Sequence, residues 1–501
     1  METAMPIPRP EPDELIALAK DVGLALSHDR ACEFLTIMEG SFRAYDLVES
    51  LDLPVASPVH SRKVIAVKPA HPLNAWYATC ETSAATEGKL VGRTVVLKDN
   101  IMMAGVPMAN GSAILDGFVP SEDATVVTRL LAAGASIRGK AVCENFCMSG
   151  ASYTSATGPV LNPHDRRRSA GGSSSGCAAL VASGEVDMAV GGDQGGSIRI
   201  PSSHCGIVGM KPTHGLVPYT GIIPIEATLD HAGPMTRTVA DNALMLEVLA
   251  GPDGLDARQN GAPGQDYTRA LTRDPRGMKV GILCEGFTVE HMDPEVAAIV
   301  RDAAGRLTAA GVELVDVSIP EHHIADKVWA PIGLEGLTRQ MIEGLGMGFN
   351  WRGRYSPELM DAMSDWRARA EELPVTLQLS LLTGRWALAQ NGGRSYAKAQ
   401  NLSLRMRAAY DAKLAGVDAL FMPTLPYVAP LLPDADTSLA EFMTRALGVN
   451  VSTSQFDVTG HPAISVPCGQ LNGLPVGAML VGPWYGESCV YTLAAALERA
   501  S

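Results

Sequence analysis

The segment that most constrains this chain is residues 170–218, which read AGGSSSGCAALVASGEVDMAVGGDQGGSIRIPSSHCGIVGMKPTHGLVP. It holds two glycine–serine loops, GGSSSG at 171–176 and GGDQGGS at 191–197, separated by enough residues for one helix and one strand. Glycine runs turn tightly and present bare N–H groups to a ligand. A helix opening after each loop adds positive potential where negative charge develops. A serine directly after such N–H groups is placed to be a nucleophile beside its own oxyanion hole. A serine hydroxyl is a weak nucleophile and needs a base. His204 and His214 lie in the same segment. The other candidate is Lys98, which ends the apolar run Thr94–Leu97 in VVLKDN. A lysine serves as a base only where burial or neighbouring cations favour its neutral form. Ser173 would then relay a proton between Lys98 and Ser197.

The rest of the chain supplies a frame for these loops. Pro12 is expected to open a helix carrying Leu15, Leu18 and Val22, and Ser27 to cap a second with Phe34, Met38, Phe42 and Tyr45 on one face. The proline-rich stretch Leu51–Ala75 reads as a linker. From about residue 90, short apolar runs alternate with helical patterns. Strands are expected at 94–97, 135–142, 186–190, 278–283, 312–319, 419–422 and 473–482. Helices are expected at 126–133, 177–182 (stopped by Gly184) and from Pro294 to Gly311. Such alternation predicts an α/β fold with a central mixed β-sheet flanked by helices. Residues 325–415 are helical in pattern and hold Trp329, Trp351, Trp366 and Trp386, which predicts an inserted small helical domain whose tryptophans are mostly core. The expected division is a helical domain over 1–85, a core over 86–325, the insert over 326–414 and the core again over 415–501.

Composition narrows the function classes. Forty basic against 54 acidic side chains leave a net charge of −14, which disfavours nucleic acid and anionic lipid as partners. No apolar run approaches the ~18 residues of a membrane span, and the acidic, proline-rich start METAMPIPRPEPDE does not read as a targeting segment. Nine scattered cysteines without a CxxC pair read as free thiols in a reducing cytosol.

The 170–218 segment resembles the glycine/serine signature of the amidase signature family. VVLKDN resembles that family's lysine motif, and PAISVPCG with GLPVGAMLVG resembles its C-terminal motifs. The N-terminal extension, HPLNAWY, GGDQGGS and GLVPYTGIIPIEATLDHAGPMTRT are most similar to the nitrile-hydratase-associated branch. The resemblance implies Lys98 as catalytic lysine, Ser173 as a bridging serine held in a cis peptide bond, and Ser197 as nucleophile, 24 positions further on. It implies an oxyanion hole from the N–H groups of Gln194, Gly195, Gly196 and Ser197. Ser174 matches a supporting serine, with Asp193 and Arg199 bracing the loop. Met148, Ile223 and Trp329 are expected in the substrate channel. Two departures stand out: Ser175 where the family usually has Gly, and Asp457 where it tends to have Asn. The implied activity is metal-free and cofactor-free cleavage of small aliphatic or aromatic carboxamides by a homodimer. Carbamates, anilides and esters share that acyl chemistry.

Competing readings remain. The ammonia-delivering subunit of a tRNA-dependent amidotransferase and a silent scaffold are the alternatives of other classes. GSSSG satisfies the GxSxG pattern without its strand–turn–helix context. GASIRGK nearly matches a P-loop, but Ala141 replaces the required Ser or Thr. Ser395–Lys398 is an SxxK on an expected surface helix. Cys143 and Cys147 flank Glu144 and offer a thiol route, although cysteines at a strand end more often serve as small buried hydrophobes. His322 and His323 show no metal spacing.

Overall fold

The computed structural model describes residues 7–53, 58–261 and 264–500. Short apolar runs become twelve strands: β1 (Arg62–Val67), β2 (Trp76–Thr82), β3 (Thr94–Lys98), β4 (Ser136–Ala141), β5 (Met188–Asp193), β6 (Val208–Lys211), β7 (His231–Thr236), β8 (Lys279–Leu283), β9 (Glu313–Val317), β10 (Ala419–Pro423), β11 (Ala463–Leu471) and β12 (Leu474–Val481). They form one sheet in the order β1-β2-β4-β3-β5-β7-β6-β11-β12-β10-β8-β9. The sheet is mixed. β3 runs parallel to both β4 and β5, and β8 to both β9 and β10, while β7, β6, β11 and β12 pair antiparallel. The central strands β5 and β12 are buried along their whole length. Continuous apolar runs of this kind suit strands covered on both faces. The expected α/β class and mixed sheet are therefore observed.

Two compact units divide the chain, Met1–Ser57 and Pro58–Ser501. In the first, α1 (Pro12–Asp21) begins on proline and α2 (His28–Ser50) is capped by Ser27, whose Oγ accepts from Arg30 N at 3.2 Å. Proline costs nothing at a first helical position, where its missing N–H would have no partner. Arg9 ties this unit together by pairing with Glu39 at 3.2 Å and Asp46 at 2.7 Å. The helical part ends before β1, so residues 58–85, expected in the helical domain, fall in the unit that holds the sheet. β1 and β2 lie inside or just beyond the stretch read as a linker. Pro58, Pro69 and Pro72 fall outside the strands, and β1 is an edge strand, half-exposed in alternation.

The helices α3 (Thr125–Ala132), α4 (Ser175–Ala182), α5 (Arg199–Cys205), α6 (Val239–Leu249) and α7 (Pro294–Ala309) follow in turn. Asp293 caps α7 through Glu295 N at 2.8 Å. Next come α8 (Ala325–Leu337), α9 (Pro357–Ala362), α10 (Val375–Asn391) and α11 (Arg394–Leu414). This insert contains no strand, but it is not a compact unit of its own. Leu337, Met341, Leu377 and Leu381 share one apolar cluster with Met102, Phe146 and Ile223 of the sheet part. Nor are its tryptophans all core: Trp366 is 3% exposed, whereas Trp386 is 70% exposed on α10. The chain closes with α12 (Leu439–Leu447), α13 (Gln455–Val458) and α14 (Glu487–Arg499).

Candidate active site

The site forms where the parallel strands β4, β3 and β5 end, the edge at which open α/β sheets habitually place ligands. Lys98 is the last residue of β3, carried inward by three buried apolar neighbours. Leu97 pairs with Val190, which sets the end of β3 beside Gly191–Asp193. Lys98 Nζ is fully buried, lies 2.8 Å from Ser173 Oγ and donates to the Gly192 carbonyl at 3.2 Å. The Gly172–Ser173 peptide bond is cis. A side chain at position 172 would strike the Ala151 carbonyl and Glu144, so only glycine fits there. Ser174 Oγ donates to Gly192 O at 3.1 Å and accepts from Gly192 N at 3.2 Å, stitching the first loop to β5.

The second loop is built around Asp193, the last residue of β5. Its carboxylate accepts from Gly196 N at 2.6 Å, Ile198 N at 3.0 Å and Arg199 N at 3.4 Å, and from Arg199 Nε and Nη2 at 3.0 Å each. Burial would raise this carboxyl, but the Arg199 guanidinium outweighs it and holds Asp193 below the usual carboxylate range. At Gly196 the backbone has φ of +133°, and a Cβ would run into Thr453. The N–H of Gly196 is thus committed to Asp193, which corrects its expected role as an oxyanion donor. The N–H groups of Gln194, Gly195 and Ser197 have no acceptor among the described residues. Ser197 is 7% exposed. Its carbonyl accepts from Ser174 N at 3.3 Å, and its Oγ makes no hydrogen bond among the described residues. Catalytic hydrogen bonds often tighten only around a bound substrate.

Met148 and Ile223 lie in the apolar cluster that joins the insert to the sheet, and half-buried Trp329 packs against it. Trp329, on α8, also donates from Nε1 to the Gln194 carbonyl at 2.7 Å. Ser175 starts α4 and donates to Val142 O at 3.3 Å.

The competing residues fall elsewhere or in supporting places. Burial lowers His204 to about 3 and His214 to about 4, so both are neutral, and His214 is engaged with Ala227 O at 3.1 Å. Cys143 and Cys147 share the Asn110 Oδ1 acceptor at 3.7 and 3.3 Å. Burial opposes ionisation of both thiols. For Cys147 it is outweighed, by the Cys143 hydrogen bond first, so that thiol is drawn down. Lys140 of GASIRGK is buried in β4 and paired with Asp99 at 3.3 Å. Lys398 of the SxxK is exposed on α11. His322 bonds Tyr410 at 2.7 Å, and no group of three metal-binding side chains occurs among the described residues.

Three further residues shape the site. Tyr219 OH accepts from Gln194 Nε2 at 2.8 Å. Thr453 Oγ1 donates to Gly195 O at 2.6 Å. Glu144, beneath the cis bond, accepts from Thr154 Oγ1 at 2.8 Å, and burial raises it to about 7. Tyr219 lies in the family-like stretch 215–238 but in no motif that marks its hydroxyl, and nothing in GVNVSTSQF marks Thr453.

Comparison with known proteins agrees with this arrangement. The family described as Amidase matches residues 64–490. An enantioselective amidase of Rhodococcus rhodochrous is 49% identical over 437 residues, covering 86% of this chain and 84% of that protein. A glutamyl-tRNA(Gln) amidotransferase subunit of Synechococcus sp. (strain RCC307) is 39% identical over 418 residues, covering 83% and 84%. Among solved structures, a bacterial aryl acylamidase of the amidase signature family superposes with TM-score 0.71 at 26% identity, covering 83% of this chain and 84% of that one. The peptide amidase of Stenotrophomonas maltophilia does so with TM-score 0.65 at 32% identity, covering 82% and 83%. With the match spanning sheet, loops and insert together, the chain belongs to the amidase signature family.

Proposed function

We propose that the protein hydrolyses small uncharged carboxamides to a carboxylic acid and ammonia through an acyl-enzyme on Ser197. Amide hydrolysis is supported by the family and by the 49% identical relative, itself named an enantioselective amidase. The observation that carries the residue assignment is the 2.8 Å contact between Lys98 Nζ and Ser173 Oγ, sealed from solvent beside a loop with unused N–H groups.

In this reading, neutral Lys98 takes a proton from Ser173 as Ser173 takes that of Ser197. Ser197 Oγ attacks the amide carbonyl. The oxyanion is held by the N–H groups of Gln194, Gly195 and Ser197, one such donor contributing ~2.7–4 kcal/mol. The relay returns the proton to the leaving nitrogen, the C–N bond breaks and ammonia departs. Water, deprotonated by the same relay, then cleaves the ester. Met148, Ile223 and Trp329 offer an apolar wall, which supports aliphatic or aromatic acyl groups.

We also propose a homodimer in a reducing cytosol. The first unit leaves Ile37, Tyr45 and Val48 exposed, at helical spacing along one side of α2. No helix among the described residues is long and apolar enough to cross a membrane.

The test is ammonia release by the purified chain over a panel of primary amides, carbamates, anilides and esters. Fastest turnover of apolar primary amides is expected. Preference for another acyl class would move the assignment within the same chemistry. Ammonia release only with added partner proteins would favour the amidotransferase reading, which the 39% identical relative keeps in view.

A further inference from the structure

Behind the second loop lies a closed cluster of charges that the reaction does not touch. The Arg199 guanidinium divides itself between two carboxylates. Nη2 donates both to Asp193 Oδ1 at 3.0 Å and to Asp457 Oδ2, on α13, at 2.8 Å. Nη1 goes to the Thr453 carbonyl at 2.9 Å and the Met479 sulfur at 3.6 Å. Asp193, Arg199 and Asp457 are all fully buried. One cation therefore faces two acidic groups where no solvent screens them.

The remaining titratable groups around Asp457 do not supply the missing charge by contact. Lys211, on β6, donates to the Pro212 carbonyl at 3.0 Å, not to a carboxylate. His231, on β7, lies 3.5 Å from Asp457 Oδ1 through Nδ1, but that nitrogen bonds the Leu229 carbonyl at 2.7 Å. Glu487, opening α14, faces Lys211 and accepts from Thr213 N at 2.8 Å. Asp457 Oδ1 has no hydrogen-bond partner among the described residues. Two acidic groups that share a dry site cannot both ionise cheaply.

We propose that Asp457 is a positioning residue that keeps its proton in the working enzyme, so that Arg199 stays seated on Asp193 and holds the loop amides in place. This inference rests on those amides being the oxyanion donors proposed above. Burial and the neighbouring Asp193 charge both push the Asp457 carboxyl well above its ordinary range, against Arg199 and Lys211. Losing the proton at alkaline pH sets a second carboxylate competing for Arg199. The grip of Asp193 on Gly196 and Ile198 then slackens. The expected symptom is a fall in kcat with little change in KM.

The discriminating variant is Asp457→Asn, whose amide donates in the same place and has no proton to lose. It is expected to keep the neutral-pH kcat within about threefold and to flatten the alkaline fall, leaving the acid limb unchanged; Asp457→Ala is expected to lose tenfold or more. An alkaline limb that persists in Asp457→Asn, or a loss as large as that of the alanine variant, overturns the proposal. Infrared titration of wild type carrying isotope-labelled aspartate gives a second readout that needs no variant and no turnover. Burial raises Asp99 to about 6 and Asp230 to about 8, so an un-ionised acid carbonyl band that outlasts both is expected. Its absence overturns the proposal. If Ser197→Ala retains turnover while that band is present, the failure lies with the acyl-enzyme reading and not with the proton on Asp457.

Discussion

At the scale of single residues, the choice of nucleophile is open to direct test. Ser197 follows the free loop amides, whereas Cys143 and Cys147 sit in an apolar cluster with Phe146 and Met148. Ser197→Ala is therefore expected to lower ammonia release by about four orders of magnitude or more, and Cys147→Ala to stay within about tenfold. The reverse pattern would install the thiol route. Glu144 gives a prediction about stability. Burial raises its carboxyl from 4.5 to about 7, so the folded state keeps a proton that the unfolded chain releases. The stabilisation is present in full below the unfolded value and is lost as pH rises through about 7. Denaturant unfolding from pH 4.5 to 7 should show wild type losing on the order of 3 kcal/mol relative to Glu144→Gln. Parallel stability curves for the two proteins would remove burial as the cause.

At the scale of elements, α8 reaches the second glycine loop through the hydrogen bond from Trp329 to the Gln194 carbonyl. Trp329→Phe keeps the apolar ring and removes the N–H. One hydrogen bond of about 1 kcal/mol corresponds to about a fivefold lower kcat, with KM for apolar amides little changed. A change in KM alone would make Trp329 a wall of the pocket and nothing more. The same element level shows what the sequence made legible. β3, β5, β8 and β10 announce themselves as apolar runs, and α7 by Asp293, Pro294 and Gly311. β7 does not, because HAGPMT carries Pro234 inside a buried strand, where proline ordinarily argues against one. The β11–β12 hairpin carries a local signal of its own, the Asn472–Gly473 turn with both residues at positive φ. Of the candidate site, Lys98, Ser173 and Ser197 are singled out in the sequence because each stands in a glycine-rich or apolar motif, and the structure brings Lys98 and Ser173 together. The commitment of Gly196 N–H to Asp193 was not legible there, since it depends on how one side chain folds back over the loop. Tyr219 and Thr453 were invisible for a related reason: they touch the loop from distant sequence.

At the scale of the whole molecule, the apolar stripe on α2 bears on assembly. If the proposed homodimer forms through Ile37 and Val48, wild type should sediment as two chains and the double substitution Ile37→Glu and Val48→Glu as one. An unchanged sedimentation coefficient would place the interface elsewhere. The sheet unit is better understood as one body with its insert than as a core with an accessory. The insert shares a core with Phe146 and Ile223, and it also holds the carbonyl of Gln194, whose N–H has no acceptor among the described residues. A chimera that grafts residues 326–414 from a relative would therefore exchange more than the shape of the substrate cavity. It would re-tension the loop proposed to hold the oxyanion, so selectivity and speed should be inherited together and cannot be bred apart by trading that segment alone.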